Sequence, residues 1–243
     1  MIGSFFITAF NIILYKPLFN ALVLLYQYLP GNDFGIAVIA LTIIIKLLFW
    51  PLGTLGIKSQ KALSELQPKI KEIQEKHKED KGKQAQETFA LYKKARINPF
   101  SGCLPLLIQL PILIALYQVF WHGFEPGKMV NLYSFITNPG VISPSFLGIL
   151  DLSKPNIYLA FLAGILQFFQ SRQVMSKDKT IKKEKAAQFG DMLQKQMLYF
   201  FPVFTVLILL KLPSAIGLYW VAVTIFSIIQ QHFVLKKYKL LNA

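Results

Sequence analysis

Residues 34–57, FGIAVIALTIIIKLLFWPLGTLGI, run for 24 residues with a single charge, Lys46, near the middle. A run this long and this apolar is able to cross a bilayer as a helix. Read as one rod, it puts Lys46 12 residues from Phe34 and 11 from Ile57. At ~1.5 Å per residue each end is then roughly 17–18 Å away. A central lysine costs about 2.5–3.5 kcal/mol on insertion scales. Its stem does not snorkel over that distance, so the ammonium is expected to meet water or a partner inside the membrane.

Hydrophobic residues make up 54% of the 243 and charged residues only 16%, and several further runs approach spanning length. The expected class is an all-α polytopic membrane protein, because helices satisfy their own backbone in lipid. After 34–57, further spans are expected at 99–121, 156–171, 196–210 and 214–234, the last two joined by a tight hairpin. In residues 1–33, Pro17 suits the first turn of a helix running to Tyr28, short for a span. Lys16, Asn20 and Gln27 share one face of it, which suggests a helix lying in the external interface. A kinked spanning helix through Pro17 is the competing expectation.

Residues 58–98 change character, with 11 Lys/Arg against 6 Asp/Glu. Leu63, Leu66, Ile70 and Ile73 form a stripe at helical spacing, and Phe89 with Tyr92 continue one beyond Asp80-Lys81-Gly82, so an antiparallel helical hairpin in water is expected. This hairpin, the loop 172–195 and the tail carry 21 of the 26 Lys/Arg. With five spans after Asp33, all three fall on one side, which the positive-inside rule makes cytoplasmic. The C-terminus is then on the cytoplasmic side and the N-terminal region outside. Topology accounts for the net charge of +14. Contacts to anionic lipids or to ribosomal RNA through the basic loops and tail stay open.

Catalytic patterns are missing. His77, His122 and His232 fall in different segments, no span holds a pair of acids, and no phosphate-binding loop is present. Cys103 is the only cysteine, read as a small buried residue. No enzyme activity, metal or cofactor is expected. The polar residues in the spans say more: Thr42 and Lys46, Gln109 and Gln118, Gln167 and Gln170, Thr205, and Tyr219, Trp220, Thr224, Ser227, Gln230 and Gln231. Many such groups simply hydrogen-bond across helices. Thr42 and Lys46, four apart, share a face. With no carboxylate in any span, Lys46 points to a wet cavity or groove.

The segments NPFSGCLPLLIQLPILIALYQ (98–118), LQPKIKEIQEK (66–76), LPSAIGLYWVAVTIFSIIQQ (212–231) and YKPLFN (15–20) resemble the YidC-type membrane protein insertases, bacterial YidC with its mitochondrial and chloroplast relatives. The resemblance runs in order along nearly the whole chain. It implies a five-helix insertase core with a cytoplasmic hairpin, an interfacial N-terminal helix and a polar groove open to cytoplasm and lipid. Lys46 stands where the family carries a basic residue, normally arginine; lysine keeps the charge without the planar fork of donors. Client contacts would fall on Thr42, Leu110, Leu113 and Trp220, and Gln109, Gln167 and Tyr219 join them as candidate groove residues. Nascent membrane proteins are the implied partners, with the ribosome and a secretion translocon open as further ones, and a monomer suffices. The rival expectation is a small-solute transporter or channel using Lys46 as an anion site. Transporters commonly show internal repeats with broken helices, and no repeat is visible here.

Overall fold

In the computed structural model, residues 2–98, 104–122, 131–175 and 196–241 are described. They are mostly helical, an all-α membrane protein with one two-stranded β-hairpin among the described residues. Cys103 and most of the loop 172–195 lie outside the described residues. The chain divides into two compact units: Met1–Phe49, Leu106–Leu166 and Thr205–Phe226 form one, and Trp50–Pro105, Gln167–Phe204 and Ser227–Ala243 the other.

The first unit opens with α1 (Ile2–Phe10), a π-helical turn (Asn11–Tyr15) and α2 (Lys16–Tyr28), where Pro17 sits in the first turn as expected. The helical path is continuous upstream of the proline, and Phe6–Tyr28 is long and apolar enough to cross a membrane. The polar stripe on α2 grips a distant loop. Asn20 is 1% exposed; its Nδ2 donates to the carbonyls of Lys16 (2.8 Å) and Asn131 (3.0 Å), and its Oδ1 accepts from the Tyr133 amide at 2.7 Å. Gln27 Nε2 donates to the Thr137 carbonyl at 2.6 Å.

A short turn through Gly31, which takes a φ of 81°, leads to α3 (Phe34–Leu48). Asp33 caps α3 by accepting from the Ile36 amide at 2.8 Å, and its other oxygen accepts from the Leu147 amide. Leu147 belongs to the hairpin β1 (Ser145–Phe146) and β2 (Leu150–Asp151), which pairs Ser145 with Asp151 and Phe146 with Leu150. Phe146 lies so close on Gly35 that a Cβ there would come within 2.2 Å of its ring, so only glycine admits this approach. Phe34 packs edge-on to Tyr26 and to Phe120 of α6 (Leu104–His122), with ring centroids 6.5 and 5.8 Å apart. Phe19, Leu116, Leu152, Ile216 and Tyr219 complete the centre of the core.

The run 34–57 is not one rod. Helix α3 ends at Leu48, Phe49 leaves helical geometry (φ −93°, ψ 14°), and α4 (Trp50–Lys76) begins at once. Pro51 explains the break: it has no N–H for the Leu47 carbonyl, and its ring crowds that carbonyl, yet it suits the first turn of a new helix. The hairpin's first helix therefore starts inside the apolar run, ahead of residue 58.

In the second unit α4 turns into α5 (Lys81–Lys94), capped by Asp80 accepting from the Lys83 amide at 2.9 Å. The tip is tied by His77 Nε2 to Glu87 Oε1 at 2.8 Å and by Gln84 Nε2 donating to the Gln74 and His77 carbonyls. Ile70 of the expected stripe is buried, whereas Phe89 is left 65% exposed. Helix α7 (Ile157–Val174), a π-turn with α8 (Phe201–Leu209), and α9 (Ser214–Leu241) each contribute to both units. The distal half of α9 lies along α4: Gln230 Nε2 donates to the Trp50 carbonyl (2.9 Å) and to Thr54 Oγ1 (3.3 Å), and Tyr238 Oη donates to Glu65 Oε2 at 3.1 Å.

Candidate functional site around Lys46

The break at Phe49 relocates Lys46. Two residues from the end of a helix, its charge sits in the last turn of α3, where the carbonyl ends of the helix favour a cation. The half-buried ammonium lies 5.7 Å from the ring centroid of Phe226 on α9, within cation–π range. None of α3, α6, α7, α8 or α9 contains an Asp or Glu. The ammonium thus faces an aromatic ring on α9. Phe226 was not foreseen from sequence; among 21 phenylalanines nothing in its spacing marks it.

About two turns earlier on α9 stands a second polar contact. Gln109 Nε2, from α6, donates to the Tyr219 hydroxyl, which is fully buried. Trp220 beside it is half-buried against the core, as is Leu113, while Leu110 is exposed on α6. Thr224 Oγ1 donates to the Trp220 carbonyl at 2.7 Å. Helix α9 thus meets α3 through Phe226 and α6 through Tyr219.

Thr42 shares the face of Lys46 as its spacing requires, but it is buried and its hydroxyl donates to the Val38 carbonyl at 2.7 Å. Its polar capacity is taken up by its own helix. Gln167 is half-buried on the part of α7 that belongs to the second unit. The described residues contain no cluster of three or more His, Cys, Asp or Glu fit to hold a metal ion. These residues offer a half-buried cation, an amide bonded to a buried phenol, and an exposed leucine.

A family model described as 60Kd inner membrane protein matches residues 24–241. Among relatives named Membrane protein insertase YidC, one from Fusobacterium nucleatum subsp. nucleatum is 33% identical, over 85% of this chain and 88% of its own length. One from Syntrophus aciditrophicus is 36% identical over 91% of this chain, and one from Pelagibacter ubique 35% identical over 91%. The chain spans only 36% and 38% of the length of those two. With the family model covering most of its residues and the order of its segments kept throughout, this chain belongs to the 60Kd inner membrane protein family.

Proposed function

We propose that this protein is a membrane protein insertase, which delivers nascent transmembrane segments from the cytoplasm into the plasma membrane without fuel of its own. The observation that carries the reading is Lys46, a cation in an apolar helix, within a chain whose relatives are named insertases. A client's hydrophilic flank must pass hydrocarbon, where each unsatisfied polar group costs several kcal/mol. A wet groove containing Lys46 shortens the dry path and draws an acidic flank into it. The client's apolar segment then moves past Leu110, Leu113 and Trp220 into lipid, driven by its own transfer free energy. Gln109, oriented by its bond to Tyr219, supplies the polar lining. The basic hairpin, the loop 172–195 and the tail face the cytoplasm in this reading, where they meet anionic lipid and the ribosome.

The test is crosslinking from a photoreactive residue at position 46 or 220 to a ribosome-stalled membrane protein. Capture of the nascent spanning segment supports the reading. No capture, together with solute-dependent flux in liposomes, replaces it with a transporter. Lys46→Ala is expected to impair insertion of clients with acidic translocated flanks more than of neutral ones. Equal wild-type rates for both classes would remove the role given to the charge.

A further inference from the structure

The loop 131–156 is apolar on two sides. Its inward residues Ile136, Ile142 and Leu152 are core. Its outward residues include Val141 at 86% exposure, Ile149 at 88% and Leu147 at 60%, with Phe135 also exposed. The only charged residues in this stretch, Asp151 and Lys154, pair with each other at 3.1 Å.

The hairpin tip is the telling part. The Ile149 amide donates to the Phe146 carbonyl at 3.1 Å, closing a turn whose central residues Leu147 and Gly148 have φ of 54° and 69°. Two positive φ values in a two-stranded hairpin call for Asn-Gly or Asp-Gly, and a bulky residue there is an outlier. This tip instead places leucine at the first of the two positions and isoleucine just after Gly148, both exposed. A water-facing turn gains nothing from that choice; a lipid-facing one does.

The level of the tip is set by what it touches. Phe146 rests on Gly35, and Leu147 bonds to Asp33, so the tip stands beside the first turn of α3, where the apolar run begins. The Lys154 carbonyl accepts from Ser214 and the Leu152 carbonyl from Ala215, at the start of α9. Tyr28 closes α2 and Tyr158 opens α7, and both are strongly exposed, as aromatic residues at a membrane interface are. Below them α7 continues with exposed Phe161, Leu162 and Ile165.

From this we infer that Leu147 and Ile149, with Val141, form a wedge seated in the headgroup–acyl boundary of the bilayer, anchoring the loop 131–156 to lipid. Under the orientation proposed above this is the outer leaflet; contact with lipid does not depend on which leaflet it is. Insertion of apolar tips to that shallow depth is the mode of interfacial anchors generally.

The experiment uses the whole chain with Cys103→Ser, reconstituted in phosphatidylethanolamine–phosphatidylglycerol vesicles. Single cysteines at Leu147 and Ile149 carry a nitroxide whose relaxation by oxygen and by a water-soluble nickel chelate is compared. Glu79→Cys on the hairpin tip is the aqueous reference and Phe161→Cys on α7 the lipid reference. The expected oxygen-to-nickel ratio at 147 and 149 lies several-fold above that at 79 and approaches that at 161. A ratio equal to that at 79 overturns the inference. So does dipolar broadening that disappears on dilution with unlabelled protein, which would assign the tip to a second copy. Should the Cys103→Ser chain not assemble, Ile149→Trp and Glu79→Trp in vesicles with lipids brominated on shallow acyl carbons answer the same question. Quenching at 149 no greater than at 79 would refute it.

Discussion

Replacing Asn20 by leucine removes the hydrogen-bonding groups and keeps the number and branching of the side chain's heavy atoms. The side chain is buried, so its bonds to the Asn131 carbonyl and the Tyr133 amide are not shared with solvent. Leucine strands both loop groups, and a buried polar group without a partner costs about 1–3 kcal/mol. Interhelical hydrogen bonds in membranes average nearer ~0.6 kcal/mol when tested pairwise. Two bonds therefore bracket the loss between about 1 and 6 kcal/mol. Water readmitted at the membrane end of α2 favours the lower part, about 2 kcal/mol, or roughly 30-fold in the unfolding equilibrium. The assay is SDS-induced unfolding in bicelles, with hydrogen exchange of peptides covering residues 131–137. Asn20→Asp, which keeps the acceptor for Tyr133 but loses the donor to Asn131, should fall between wild type and Asn20→Leu. An Asn20→Leu protein within ~0.5 kcal/mol of wild type and unchanged in exchange at 131–137 would refute the reasoning, since surface-like substitutions stay in that range.

Four further outcomes are expected. Gln230→Leu should cost about 1 kcal/mol in the same unfolding assay by releasing the Trp50 carbonyl and Thr54. Gly53→Ala, whose Cβ would stand 3.0 Å from the Gln230 amide, should cost less when Gln230 is already alanine; additivity of the two would show that they are not coupled. Gly35→Ala forces the Phe146 ring off α3 and should cost about 1–3 kcal/mol, an overpacking penalty that shrinks in a Phe146→Ala background. The Asp151 carboxyl is held below its ordinary value of 3.8, first by the Ser153 hydroxyl and amide and then by Lys154. Its folded-state value being depressed, its contribution is complete above the ordinary carboxylate range and is lost as pH falls through the depressed value. The mobility of a nitroxide at position 149 should therefore be flat from neutral pH to about pH 5 and rise in stronger acid. Asp151→Asn should abolish that rise.

Much of the architecture could be read from periodicity and charge, because those report local geometry. The helical nature of the apolar runs, the 58–98 hairpin and the burial of Ile70 all follow from spacing within one element. The break at Phe49 was legible in principle through Pro51, but hydropathy sums over a window and is blind to a single missing donor. As a result Lys46 was placed mid-helix when it occupies a last turn. Asn20 was seen as part of a polar face; that its partners lie 111 and 113 residues away is a fact of tertiary structure no spacing contains. The same holds for Phe226 beside Lys46 and for the hairpin within a stretch that reads as irregular loop. Thr42 adds a local example: spacing puts its hydroxyl on the face of Lys46, while the bond it makes is to the carbonyl one turn back.

In the reading that takes α3 across the membrane, the break at Phe49 carries a consequence for the surrounding lipid. Helix α3 has 15 residues. At ~1.5 Å per residue it rises roughly 22 Å, against a hydrocarbon thickness of about 30 Å. Such negative hydrophobic mismatch is met by local compression of the bilayer or by flanking residues stretching to the surface, at fractions of a kcal/mol per Å. In the proposed insertase, a segment entering lipid beside α3 would then meet a thinner barrier than one entering the undisturbed membrane.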